Sequence, residues 1–333
     1  MQMTAGAVVA PLPVLAQPRS SLPLVALLIP FNEATANDRA AVLRAGLKEE
    51  GFVEGREYAL AVRFANGDYS RLPELASELD ALKPRVYVVM SSAAAIAAVR
   101  KQAPDTPLVF TSIAADPMAL GLAESYARPG GMITGNVMNA VGGEETLTTK
   151  RIGYFKELVP NLTRLGMIGI ADSETPFAPA GLAATERNAL RKASARFGFE
   201  FSSYDIRTLD DLEAAVSSGL RDDVSAFYIS GDTRMNFNIP RVVSSLAKSE
   251  KPTCAVYPYW ARAGLLMSYS TDINDGVRRA GFQVAKIIRG TKPGELPIEQ
   301  AVKFTFVVNQ RTAKQLGITV SPTLLAEADE VIE

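Results

Sequence analysis

Short runs of consecutive apolar residues alternate along this chain with segments whose apolar positions recur every three or four residues. "LPLVALLIPF" (22–31) is continuous and apolar, which predicts a strand buried on both faces. Leu43 and Leu47 mark a helix ending near Gly51, and "YALAVRFANGD" (58–68) predicts a second strand. Leu72, Leu75, Leu79 and Leu82 recur at spacings of three and four, while Glu74, Glu78 and Lys83 take other faces. That pattern predicts an amphipathic helix stopping at Lys83-Pro84. "VYVVMSS" (86–92) and "PLVFTSIA" (107–114) follow as further buried strands. Strand, helix and strand in repetition predict a parallel sheet with right-handed crossovers.

The second half repeats the scheme. "LTRLGMIGIA" (162–171) predicts a strand, Leu182 to Phe197 a helix, and "FEFSSYDI" (199–206) a second strand. Leu209, Leu212, Val216 and Leu220 form a helical stripe leading into the strand "AFYISGD". Two open α/β lobes are therefore expected, and in such sheets ligands bind beyond the carboxyl ends of the strands. Those positions are Phe31-Asn32, Ser91-Ser92 and Thr111-Ser112 in the first lobe, and Asp172-Ser173, Ser230-Gly231-Asp232 and Tyr257 in the second. Every tip carries hydroxyl, amide, carboxylate or aromatic groups, so facing lobes would enclose a small molecule with hydrogen-bonding ends.

Composition narrows the chemistry. The 333 residues are 47% hydrophobic, enough for two cores. Lys and Arg number 35 against 36 Asp and Glu, which gives no pull towards nucleic acid or an anionic membrane. With no histidine, His-dependent triads, His general bases and His-containing zinc sites are excluded. Cys254 is the single cysteine, so a disulfide framework and a multi-cysteine metal site are excluded too, and "PTCAVYP" favours a small buried residue over a nucleophile. "MQMTAGAVVAPLPVLAQPRSS" has no charge before Arg19 and offers Val14 and Ala16 at the −3 and −1 positions of a cleavage site. It reads as a signal peptide lacking its basic start, with Met1 as an internal methionine; the other reading is a disordered tail. No later apolar run reaches the ~20 residues needed to span a bilayer.

Catalytic motifs are weak. No G-x-G-x-x-G follows the first strand, and no Walker-type "GK[ST]" and no G-x-S-x-G elbow occur. "SLAK" (245–248) lies within a predicted helix without its customary partner motifs, and Glu144-Glu145 and Asp210-Asp211 read as first-turn helix residues. The stretch "TSIAADPMALGLAESYARPGGMITG" (111–135) is rich in glycine. It reads as a strand tip, then a short helix "MALGLAESYA" started by Asp116 at the N-cap and Pro117, then a reversal at "PGG" into a strand. Its glycines follow a helix and precede a strand, the opposite order from a phosphate loop.

"GLKEEGFVEGREYAL", "ANGDYSRLPELASELDALKP", "ADPMALGLAESYARPGGMITG", "GLLMSYSTD", "IIRGTKPGELPIEQAVKFTFVVN" and "TAKQLGITVSPTLLAEADEVI" are collinear from about residue 24 to the end. Together they resemble ABC-transporter substrate-binding proteins of the tryptophan/tyrosine-binding type. The resemblance implies a type I periplasmic binding protein: α/β, two Rossmann-like lobes with parallel sheets joined by a hinge. It implies a first lobe of 22–138 plus about 270–295, and a second of 139–269 plus about 296–333, after a residual signal peptide at 1–21. It implies no catalysis and no cofactor. The expected function is capture of an amino acid or an aromatic or carboxylate compound by hinge closure, as a periplasmic monomer delivering to an ABC permease in the inner membrane. Met132 departs from the family's usual Asn in "PGGNxTG", so no polar role is carried to it. A cytosolic α/β enzyme and a regulator's ligand-sensing domain share the fold class and stay open as alternatives.

The candidate ligand residues are Phe31, Asn32, Ser91, Ser92, Thr111, Ser112, Asp116, Ser173, Ser230, Asp232, Tyr257 and Tyr269. Ser91-Ser92 would bind a carboxylate with the N–H groups of the following helix, or else merely cap that helix. Asp232 would pair with an ammonium group, or else end a turn. Phe31, Tyr257, Tyr259 and Trp260 would give stacking walls or belong to the core, and Tyr269-Ser270 would lie by the cleft or hinge. Ser92→Ala and Asp232→Ala are each expected to weaken binding and leave the ligand-free melting temperature nearly unchanged.

Overall fold

A computed structural model describes residues 22–114, 116–138, 143–171 and 182–333. The first apolar run forms β1 (Leu24–Ile29), and its side chains divide between two cores. Val25, Leu27 and Ile29 belong to one hydrophobic cluster and Ala26 and Leu28 to another, which is why the run is apolar throughout. After it come α1 (Glu33–Glu49), β2 (Ala59–Phe64), α2 (Leu72–Ala81), β3 (Val86–Met90), α3 (Ala93–Gln102), β4 (Leu108–Ile113) and β5 (Ile133–Val137). The five strands pair in the order β2-β1-β3-β4-β5, all parallel. Leu75 and Leu79 of α2 and Ile96 and Val99 of α3 cover one face; Leu43 and Leu47 of α1 cover the other.

The second lobe contains α4 (Gly143–Leu158), β6 (Arg164–Ile170), α5 (Leu182–Phe197), β7 (Glu200–Ile206), α6 (Leu212–Arg221), β8 (Ala226–Ile229), α7 (Thr233–Asn236) and α8 (Ile239–Ala247). It continues through β9 (Thr253–Ala255), α9 (Pro258–Ala263) and β10 (Met267–Thr271). The chain then crosses back to the first lobe as α10 (Ile273–Ile288), whose Val277, Ala280 and Val284 share a cluster with Leu43 and Leu47 of α1. Ile298 still packs in the first lobe, and β11 (Phe304–Asn309), α11 (Gln310–Gln315), α12 (Pro322–Glu327) and β12 (Glu330–Ile332) complete the second. Its sheet runs β12-β11-β10-β9-β8-β6-β7.

This second sheet is not wholly parallel: β11 runs antiparallel to β10, with Met267 opposite Val308 and Thr271 opposite Phe304. The reason is the route of the chain. It leaves β10 at the hinge and returns through the same hinge, so β11 starts at the end where β10 stops. At that hinge Val137 N–H donates to Glu299 O (2.9 Å), Glu299 N–H to Gly135 O (3.0 Å) and Asp272 N–H to Lys303 O (2.9 Å). Three chain crossings thus run side by side.

The expected helix over "MALGLAESYA" does not form; residues 117–121 make a single turn. Asp116 Oδ1 accepts from Met118 N–H (3.0 Å), Leu122 N–H closes back on Pro117 O (2.9 Å), and Gly121 at φ +65° ends the turn. Gly130 and Gly131, at φ +76° and +57°, then make the reversal into β5. Among the described residues no helix is long and apolar enough to cross a membrane. The expected signal peptide at 1–21 lies outside the described residues.

Candidate ligand cleft

The strand tips of the two lobes meet. Phe31, just after β1, packs against Phe237, which follows α7, with ring centroids 5.9 Å apart and planes tilted by 58°. Gly67, at the tip of β2, lies against the same ring: a Cβ there would stand 3.3 Å from it. Beside this contact Arg39 of α1 bonds to Asn274 of α10, near the half-buried Tyr259. Burial pushes the Arg39 guanidinium down, against the pull of Tyr259, Asp38 and Asp272. Tyr257 and Tyr259 stand with ring centroids 5.2 Å apart, and Trp260, fully buried behind them, donates to Asn236 Oδ1 (3.0 Å). The cleft is therefore edged by aromatic rings from both lobes.

In the first lobe several predicted tip residues prove to be occupied locally. Asn32 caps α1, accepting from Thr35 N–H at 3.0 Å, and Ser92 caps α3, accepting from Ala95 N–H at 3.1 Å. Ser92 is only 5% exposed, while Ser91 beside it is half-buried and held at φ +50°. A non-glycine residue in that left-handed region is strained, a condition that recurs at functional sites. Since Ser92 is a working cap, Ser92→Ala is expected to lower the stability of the ligand-free protein by about 1 kcal/mol, contrary to the expectation of no change. A denaturant titration of the variant without ligand checks this.

Thr111 and Ser112 do not open to the cleft as expected. Both are buried, and Asn136 gathers them: its Oδ1 accepts from Thr111 Oγ1 (2.9 Å) and Ser112 N–H (3.0 Å), while its Nδ2 donates to Gly276 O (2.8 Å). The β4–β5 register shifts between Phe110 and Ile113, and Ser112 at φ +55° gives the bulge that requires a side chain as its partner. These residues tie the first sheet to α10 at the hinge.

In the second lobe the tip of β8 is the richest place. Ser230 is fully buried, and Asp232, its side chain 20% exposed, accepts from Arg234 N–H (2.8 Å) and pairs with Arg234 Nε (3.3 Å). The expected ammonium partner therefore also starts a turn of helix. Tyr269 lies in the core, its ring stacked on Phe304 at 5.9 Å and 5.5 Å from Tyr154. Core packing, not the cleft, accounts for that ring. Ser173 lies outside the described residues. Cys254 is buried in β9, and burial pushes its thiol well up, as befits a packing residue.

Behind this tip lies a buried polar network centred on Arg151 and Glu186, which do not stand at strand ends. Arg151 of α4, fully buried, donates Nε to Tyr269 O (2.7 Å) and Nη1 to Tyr228 Oη (2.8 Å), Glu144 Oε1 (3.1 Å) and Thr148 Oγ1 (3.2 Å). Burial works against the guanidinium's charge, but Tyr228, Glu144 and Glu186 around it override that and hold it above its ordinary value. Glu186 of α5, also fully buried, accepts from Ser230 Oγ (2.5 Å), Tyr228 Oη (3.1 Å) and Gly231 N–H (3.1 Å). One signal for Arg151 was present in the sequence: it falls on the apolar stripe of Leu147, Ile152, Phe155 and Leu158 in α4.

With the lobes and cleft described, comparison with known proteins is decisive on family. The family profile for ABC transporter substrate binding proteins matches residues 25–332. The chain belongs to that family. A tyrosine-binding protein of Clostridioides difficile is 22% identical over 273 residues, 82% of this chain and 74% of the relative. An ABC domain from Streptococcus pneumonia, solved in complex with L-Trp, superposes with a TM-score of 0.78 at 22% identity, covering 94% of this chain and all (100%) of the other. A ligand-free, open substrate-binding protein from Clostridium difficile superposes with a TM-score of 0.72 at 17% identity, covering 93% of this chain and 99% of the other. The family's two-lobed fold with a hinge is the architecture found here.

Proposed function

We propose that this protein captures a small molecule, an amino acid or an aromatic or carboxylate compound, between its lobes outside the cytoplasm and delivers it to an ABC permease in the inner membrane. The observation that carries the reading is the cleft edge itself: aromatic rings from opposite lobes, Phe31 and Phe237, meet there, and the β8 tip of the second lobe carries the part-exposed Asp232 carboxylate. A ligand with a ring and an ammonium group would contact both lobes at once and so favour the closed state by its differential affinity. The relatives named for tyrosine and solved with L-Trp support that ligand class. The role proposed is binding and delivery without catalysis, by a monomer with no cofactor, exported through a leader at its N-terminus.

The test is a thermal-shift and calorimetric screen of L-tyrosine, L-tryptophan, aliphatic amino acids and sugars on purified protein. A true ligand at a hundred times its Kd stabilises the folded state by about 2.7 kcal/mol, and the aromatic amino acids are expected to give the largest upward shift. A shift with sugars alone would overturn the amino-acid reading. Asp232→Ala is expected to weaken L-tyrosine binding by roughly tenfold to a hundredfold, the scale of a lost charge-assisted hydrogen bond, as read by calorimetry.

A further inference from the structure

We infer that Glu186 is the positioning residue of the second lobe's half of the cleft: by holding Ser230 and Gly231 it sets the Asp232 carboxylate towards the ligand's ammonium group, and it does so only as a carboxylate. The inference rests on the amino-acid reading above. Its geometry is specific. The two Glu186 oxygens meet Ser230 O–H, Tyr228 O–H and Gly231 N–H, three donors of which Gly231 N–H reaches both oxygens, at 3.1 and 3.2 Å. Ser230 Oγ in turn accepts from Asp232 N–H (3.3 Å), and Gly231 O accepts from Asn236 Nδ2 (2.9 Å). The peptide units on both sides of Gly231 are thus fixed by a chain of bonds that begins at Glu186.

A ring of donors suits an anion and has no natural place for a proton. If Glu186 is protonated, its O–H must face one of those donors, and Ser230 or Tyr228 must turn to accept it. Tyr228 Oη accepts a charge-assisted bond from Arg151 Nη1 (2.8 Å), whereas Ser230 Oγ accepts only the longer bond from Asp232 N–H (3.3 Å). Ser230 is the member that gives way, and it is the one joined to Asp232. Among the described residues, the charged and titratable groups facing Glu186 are Arg151 and Glu144 from α4, Tyr228 from β8, Cys254 from β9 and Tyr257 from the strand tip, with Asp232 beyond Tyr257. On its own helix, Arg187 is turned to Ser203 and Asp205. Burial first, and the Glu144 charge second, push the Glu186 carboxyl up to about 7, against Ser230, Arg151 and Gly231. The switch therefore falls near neutrality, and ligand affinity is expected to drop as the solution is acidified through that range.

Two measurements test this. In ligand-free protein the Gly231 amide resonance, followed by NMR from roughly pH 5.5 to 8.5, is expected to titrate with a midpoint near 7 and to be flat in Glu186→Gln. Calorimetry with L-tyrosine and with 3-(4-hydroxyphenyl)propionate, which lacks the amino group, gives the functional readout. For L-tyrosine, wild-type affinity should fall about tenfold over that range, and Glu186→Gln should bind about tenfold more weakly at the alkaline end with no pH dependence. The des-amino probe should show neither loss. Ser230→Ala, with Glu186 intact, should weaken L-tyrosine several-fold and leave the des-amino probe unchanged. A Gly231 amide that does not titrate, a Glu186→Gln protein that keeps the pH dependence, or equal losses for both probes would overturn the inference. If wild-type protein binds neither probe, the amino-acid reading fails, while the Gly231 titration still decides whether Glu186 governs the tip.

Discussion

Replacing Arg151 with alanine should cost the second lobe about 3 to 5 kcal/mol of stability, the largest loss expected from any single side chain here. The guanidinium is fully buried and makes four hydrogen bonds to α4, β8 and β10. Removing it leaves the carboxylates of Glu144 and Glu186, 10% exposed and buried respectively, without their cation, and leaves Tyr269 O without its donor. A buried charge deprived of its partner is far more costly than the intact pair is stabilising. Arg151→Lys keeps the charge but lacks the fork that serves Tyr269 O on one side and three oxygens on the other, so about half the loss should persist. Hydrogen exchange should localise the effect: amides of β8 and β10 lose protection, and those of β1 and β3 keep theirs. Equal protection in both lobes after Arg151→Ala would mean that the network does not hold the second lobe together.

That network also shows where the sequence stops being legible. The fold was readable because apolar runs such as Val25 to Ile29 must be covered on both faces, which only an α/β sandwich provides. The helical stripes of Leu72 to Leu79 and Leu212 to Val216 were readable for the same reason, since each faces a sheet. Polar positions carry no such constraint. Thr111 and Ser112 stand at a strand tip, yet a bulge and Asn136, 24 or 25 residues away, turn them into hinge contacts. Glu186 sits within a charged helix and looks solvated; only the approach of Ser230, 44 residues later, makes it buried. The "MALGLAESYA" segment has helical composition, but the Asp116 and Gly121 geometry closes one turn and stops. Candidate site residues were thus sought at strand ends, but which of them face a ligand depends on partners that no local pattern reveals.

The second large effect belongs to the seam between α1 and α10 in the first lobe, where α10 leads away from the hinge. Gly46 of α1 faces the backbone of α10, and a Cβ there would lie 2.2 Å from Arg278 O. Gly281 of α10 answers it, with a Cβ that would meet Leu47 N at 2.8 Å and Gly46 C at 2.9 Å. Two helices that touch backbone to backbone have no side chain to rotate away, so Gly46→Val must separate them. The expected loss is about 3 kcal/mol, the upper range for overpacking. Gly153→Ala in α4 is the control, because its nearest contact, the Phe197 ring at 3.7 Å, is ordinary and alanine is the better helix former; it should be neutral or stabilising by up to about 1 kcal/mol. Function should follow α10 as well as stability. The helix carries Asn274, bonded to Arg39, and Gly276, bonded to Asn136, and its Arg279 pairs with Glu299 on the returning crossing. Displacing α10 therefore disturbs contacts beside the chain crossings, and ligand affinity in Gly46→Val should fall even where the protein stays folded. Circular dichroism and calorimetry on one sample separate the two: lost stability with unchanged affinity would show that the α1–α10 contact is a packing seam without influence on closure.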